Sequence, residues 1–171
     1  PLIALVTLLT APGCATVLIG AVAVTAIIIA HDRRTVGTFI DDSAVEVKIK
    51  TNIYTDDQLK GKAHVNVTSV NGVVLLTGEL PSEPLRERAA LVAKKAPEAR
   101  HVVNEIKVAG ASTFMSRSND SYITSKVKTN LFSTPNLDAT RVKIVTEDAA
   151  VYLMGLVTKV EAEAATNTAR R

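Results

Sequence analysis

Val65-Asn66-Val67-Thr68-Ser69-Val70-Asn71-Gly72-Val73-Val74-Leu75-Leu76-Thr77-Gly78 places two runs rich in β-branched residues around an Asn-Gly pair. Asn-Gly tolerates the positive φ angles of a tight two-residue turn, so the stretch reads as a β-hairpin. Val65 and Val67 share one face of the first strand. Val73 to Leu76 is apolar on both faces, which predicts an inner strand. Gly78 is expected to end that strand, at a place where a side chain would crowd its neighbours.

The pattern returns as Val142-Lys143-Ile144-Val145-Thr146-Glu147-Asp148-Ala149-Ala150-Val151-Tyr152-Leu153-Met154-Gly155, 77 residues from Gly78 to Gly155. Upstream, Asp42-Ser43 matches Asp120-Ser121, and Lys48-Ile49-Lys50-Thr51-Asn52-Ile53 matches Lys126-Val127-Lys128-Thr129-Asn130-Leu131, both at an offset of 78. One deleted residue accounts for the difference. The chain therefore carries two copies of one small unit. Its 171 residues make two domains of a size near the lower limit for a self-sufficient core.

Net charge is only +3 and it is spread out: charges cancel over residues 41–108 and leave +1 over 119–171. That is not the dense basic stripe of a nucleic-acid binder, so nucleic acid is not expected as a partner. His31, His64 and His101 are scattered and Cys14 is the single cysteine, so no metal-ligand spacing is present. His64 and His101 are expected to satisfy local backbone groups. No Gly-rich phosphate loop, HExxH or CxxC occurs, and no spacing joins Ser, His and acid residues, so the chain is not expected to be an enzyme or to hold a cofactor.

Residues 1–30 contain no charged side chain. Leu2 to Thr10 looks like the apolar core of a secretory signal. Ala11-Pro12-Gly13-Cys14 then resembles the lipobox of bacterial lipoproteins, in which the cysteine is lipidated and becomes the mature N-terminus. The usual residue three before the cysteine is Leu, where this chain has Ala11. A second reading makes the same region a transmembrane helix through residues 15–30. Pro12-Gly13 is poor helix material in mid-span and favours the lipoprotein. Ala15 in place of Asp after the cysteine implies, by that resemblance, an outer-membrane address.

His31 to Ile40 reads as a polar bridge. Asp41-Asp42-Ser43 is expected to cap a helix whose core stripe is Val45, Ile49 and Ile53. A loop with Gly61 leads to the hairpin. Ser82 caps a second helix with Pro84 in its first turn, Leu85, Ala89, Val92 and Ala96 on its buried face, and Pro97 at its end. Val102, Asn104, Ile106 and Val108 alternate as a third strand. The fold class is therefore α+β, with each unit α-β-β-α-β and its helices packed on a three-stranded mixed sheet. The domains read as 41–109 and 119–171, joined by a linker over 110–118. In the second copy Ile123, Val127 and Leu131 form the helix stripe, and Asp148-Ala149 lacks the turn glycine, so its loop is expected to be wider. Thr158-Lys159-Val160-Glu161 is a capping box. No counterpart of Val102–Val108 follows it, so the second copy is expected to be truncated by one strand.

Two α-β-β-α-β units, each with an apolar hairpin ending in Gly78 or Gly155, resemble BON domains. Together with the lipobox-like Cys14 they are similar to the dual-BON-domain outer-membrane lipoproteins. Three stretches carry the likeness: Arg34-Thr35-Val36-Gly37-Thr38 before Asp41-Asp42, Ser118-Asn119-Asp120-Ser121-Tyr122-Ile123-Thr124, and Val151-Tyr152-Leu153-Met154-Gly155-Leu156-Val157-Thr158. The resemblance implies a non-enzymatic protein, lipid-anchored on the periplasmic face of the outer membrane, that binds anionic phospholipid through its second domain and keeps the envelope intact.

Tyr122 stands in the second copy where Ala44 stands in the first. Tyr122, Lys126 and Thr129 lie at i, i+4 and i+7 of one helix and share a face, with Ile123 about 100° away and Lys128 flanking the same helix. A tyrosine at headgroup level beside a lysine near anionic phosphate suits a membrane interface. Tyr122, Ile123, Lys126, Lys128 and Thr129 are therefore the candidate phospholipid-binding residues. Against this, Tyr122 could pack on the linker or on the first domain, and Lys48 and Lys50 occupy the matching places of the first copy. Phe132, matching Tyr54, is expected to pack at the helix end. The alternative function is a lipid-tethered scaffold that grips an envelope protein by strand pairing at a sheet edge.

Overall fold

The computed structural model describes residues 35–110 and 114–171. Cys14, the apolar segment 1–30 and the alternative of a span over 15–30 lie outside the described residues. No helix among the described residues is long and apolar enough to cross a membrane.

The first unit runs α1 (Val36–Thr55), β1 (His64–Val70), β2 (Val73–Leu80), α2 (Glu83–Lys94), β3 (His101–Asn104) and β4 (Lys107–Val108). β2 is the inner strand expected from its apolar faces. β1 pairs with it antiparallel, and β3 and β4 lie end to end along its other side, both parallel and in one register. The turn residues Asn71 and Gly72 both have positive φ, 53° and 73°, as a tight turn of this hand requires. Val45, Ile49 and Ile53 of α1 meet Val65, Val74, Leu76 and Leu80 of the hairpin, with Ala89, Val92 and Ala93 of α2 closing the core. Ile49 and Ile53 are fully buried, and burying a side chain of that size stabilises by about 2–3 kcal/mol.

The second unit runs α3 (Phe114–Phe132), a 3-10 turn at Ala139–Arg141, β5 (Lys143–Glu147), β6 (Ala150–Met154) and α4 (Lys159–Ala169). Val127 and Leu131 are buried against Leu137, Ala139 and Ala165, with Ile123, Ile144, Val151 and Leu153 packed alongside. The Thr158–Glu161 capping box forms as read from the sequence. Among the described residues β6 pairs only with β5, so the edge that β3 and β4 fill in the first unit is open here.

Four local expectations are corrected. α1 begins at Val36 with Thr35 as its cap, so residues 36–40 are helix and not bridge. α3 begins at Phe114, inside the segment read as linker. The reason is shared: Asp42 and Asp120 are not caps but interior residues whose carboxylates reach across to the hairpins. Asp42 accepts from Asn71 N at 2.7 Å and Gly72 N at 2.9 Å, and Asp120 accepts from Asp148 N at 2.9 Å and Ala149 N at 2.8 Å. Those bonds also explain why the second turn is no wider than the first. Glu147 pairs directly with Ala150, and Asp148 and Ala149 take φ of 48° and 60° without a glycine, held by Asp120. Gly78 does not end β2, which continues to Leu80. It sits opposite Val65, and a Cβ there would lie 2.0 Å from the His64 carbonyl oxygen.

The units pack sheet to sheet. Leu75, Thr77 and Glu79 alternate away from the α1–α2 core, yet each is at most 5% exposed, because the β5–β6 hairpin covers them. Asn66 Nδ2 donates to Glu147 at 2.8 Å, Lys107 pairs with Asp148 at 2.5 Å, and Lys143 pairs with Glu46 at 2.7 Å. The bond to Asp148 holds the Lys107 ammonium above the ordinary lysine value, and burial with nearby Glu105 pushes the Tyr152 phenol up. Layers therefore run helices, sheet, sheet, helices, and α3 lies on the outside of the stack.

Candidate functional site

α3 is fastened from its inner face. Ile123, Val127 and Leu131 point into the second core, Asp120 holds the hairpin turn, and Thr124 bonds Thr146 of β5 at 2.7 Å. Its outer face is left to solvent, and that face carries Tyr122, 68% exposed, with Lys126 and Thr129 also exposed. Among the described residues Tyr122 is therefore not packed away against the first unit.

The five candidate residues do not form one patch. Tyr122, Lys126 and Thr129 fall within about 60° of arc. Ile123 is half-buried and packs against the core, so its place is structural. Lys128 lies about 120° round from Tyr122, on the far side of the outer face. Thr129 already donates its hydroxyl to Ser125 O at 2.9 Å within the helix.

One residue assigned to packing belongs with the exposed group. Phe132 is 57% exposed, not buried at the helix end. It lies about 80° round from Tyr122 and about 15 Å along the axis, between the directions of Thr129 and Lys128. The outer face thus shows two aromatics at its ends, small polar Ser125 and Thr129 between them, and a lysine on each flank. The matching Tyr54 of the first unit is 37% exposed.

Lys126 differs from its first-copy counterpart. Lys48 is held by Glu98 at 3.2 Å. Among the described residues neither Lys126 nor Lys128 pairs with an Asp or Glu, and Lys126 donates to Arg171 O at 3.4 Å. An ammonium without a fixed counter-charge keeps its attraction for external anions.

A second cluster was invisible to spacing. Among the described residues the hydrogen bond of His64 goes to a side chain and not to a backbone group. Its Nδ1 lies 2.7 Å from Glu79 Oε2, directly across the β1–β2 ladder, and Glu147 comes in from β5. Residues 64, 79 and 147 meet only through strand pairing and the packing of one unit on the other.

The sequence matches the BON domain family over residues 41–110 and 119–171. It is 38% identical over 159 residues to the outer membrane lipoprotein DolP of Haemophilus influenzae, spanning 93% of this chain and 82% of that protein. It is 36% identical to the 21 kDa hemolysin of Actinobacillus pleuropneumoniae, over 81% of this chain and 72% of the relative. The osmotically-inducible protein Y of Escherichia coli is 31% identical over 71% of this chain and 61% of its own length.

Proposed function

The chain belongs to the BON-domain family, and from that premise we propose that it is a non-enzymatic outer-membrane lipoprotein, anchored through Cys14 on the periplasmic side, whose second domain binds anionic phospholipid and so supports envelope integrity. Its kinship with a protein named as an outer membrane lipoprotein supports the location. We take the domains as 41–109 and 119–171. The observation that carries the lipid reading is the outer face of α3, where Tyr122 and Phe132 stand exposed beside Lys126 and Lys128 while the opposite face is the domain core.

The physics is that of an interfacial helix. Aromatic rings settle at headgroup level, and each lysine near an anionic surface adds about 1 kcal/mol. The helix lies on the surface without entering the hydrocarbon, because its outer face is otherwise Ser and Thr. Residues 31 onward should co-sediment with phosphatidylglycerol vesicles and not with neutral ones, and added salt should release them. Binding that ignores lipid charge would contradict the proposal.

The alternative is a lipid-tethered scaffold that grips an envelope protein. That scaffold reading expects no vesicle binding by residues 31 onward.

A further inference from the structure

We infer that His64, Glu79 and Glu147 form a site for a divalent transition-metal ion of the zinc class, which would tie the two BON units together. One ligand atom from each residue lies within 4.8 Å of the other two. In a tetrahedral zinc site with bonds of about 2.0–2.2 Å, neighbouring ligand atoms stand about 3.3–3.6 Å apart. The His64–Glu79 contact of 2.7 Å would open by about 0.6 Å to reach that spacing, with a fourth position left for water.

Charge is the second support. Glu79 and Glu147 are 5% and 7% exposed. Buried carboxylates are costly unless compensated by a cation. Among the described residues Glu147 accepts from neutral donors, Asn66 Nδ2 at 2.8 Å and Thr77 Oγ1 at 3.4 Å. Glu79 has His64. Among the described residues no Lys or Arg pairs with either carboxylate. Lys107 is beside Glu79 in register, but its ammonium is committed to Asp148 at 2.5 Å. A ligating imidazole is neutral, so the two carboxylates carry two negative charges, which a divalent ion would balance.

Chemistry selects the ion and geometry its consequence. One imidazole nitrogen with two carboxylate oxygens suits zinc and its first-row neighbours. Asn66 and Thr77 hold Glu147 in place as outer-shell partners. The His64 side chain is 34% exposed, which opens the site to solvent. Two ligands come from β1 and β2 and the third from β5, so a bound ion fixes the sheet-to-sheet packing. Binding of the ion is therefore linked to the stability of the paired units.

The test is calorimetric titration of the full chain with zinc chloride, in a Cys14→Ser background so that no free thiol competes. Melting is followed with and without the ion. The proposal expects one zinc per chain, a raised melting temperature, and affinity at least about tenfold weaker in Glu147→Gln. His64→Ala reports the same loss should the glutamine variant fail to fold, and His101→Ala should bind as the parent does. No binding at millimolar zinc, equal binding by the His64 and Glu147 variants, or loss of binding in His101→Ala would each overturn it.

Discussion

α1 and α3 carry the same core stripe at the same offset, Val45-Ile49-Ile53 against Ile123-Val127-Leu131, and each places an aspartate over its hairpin turn. Their outer faces diverge. Where α3 has Tyr122, α1 has Ala44; where Phe132 is 57% exposed, Tyr54 is 37% exposed; where Lys126 lacks a carboxylate among the described residues, Lys48 is held by Glu98. Duplication kept what the fold needs and released what it does not. The first unit spends its outer sheet face on the second unit, and the second presents its outer helix to the surroundings.

The largest effect should be common to both copies. Gly78 and Gly155 approach the backbone at or just before the start of the preceding strand so closely that a Cβ would lie 2.0 Å from His64 O and 2.3 Å from Arg141 O. Gly78→Ala and Gly155→Ala should each destabilise by about 3 kcal/mol or more in urea unfolding. A small cost at either position would break the structural equivalence of the hairpins.

The turns should respond with opposite signs. Gly72 takes φ of +73°, and a Cβ there would meet the Arg100 side chain at 2.7 Å, so Gly72→Ala should cost about 1–2 kcal/mol. Ala149 sits at φ of +60°, where a side chain is strained, so Ala149→Gly should stabilise by up to about 1 kcal/mol. Both are read from denaturant midpoints. The same sign in both would mean that Asp120 does not hold the second turn as Asp42 holds the first.

The smallest difference is one of pH. In the first unit Asp56 at the end of α1 pairs with Arg88 of α2 at 2.8 Å, which holds its carboxyl below the usual value. At the same offset the second unit has Thr134, bonded to Thr168 at 3.0 Å. A depressed carboxylate contributes stability above its unfolded pKa of about 4 and loses it as pH falls through the folded value. Amide exchange in α1 and α2 should therefore quicken below about pH 4, and Arg88→Met should flatten that response. The Thr134–Thr168 contact has no titrating group, so no counterpart of the Asp56 response is expected at that pair, and an unchanged pH response in Arg88→Met would contradict the difference.

Much of this was legible in the sequence because it is local. Asn71-Gly72 announces its turn, the i, i+4 stripes announce the helices, and Thr158 to Glu161 announces a cap. The misses come from long-range bonds. Asp42 looked like a cap because its partners are about thirty residues away in the turn, and a turn at Asp148-Ala149 looked loose because its restraint, Asp120, lies on α3. The same limit hid His64, Glu79 and Glu147, which join across two units. Of the lipid-facing residues, helical period grouped Tyr122, Lys126 and Thr129, but only packing separates Ile123 from them and adds Phe132.

The most direct test is co-sedimentation of residues 31 onward with phosphatidylglycerol vesicles, comparing Tyr122→Ala with Lys126→Ala in one chain against Lys48→Ala in the first copy. Removing the lysine alone should weaken binding by about fivefold, at 1 kcal/mol per basic residue. The double variant should lose about tenfold or more, while Lys48→Ala should bind like the parent. Unchanged binding by the folded double variant, or an equal loss from Lys48→Ala, would contradict the assignment of the membrane face to α3.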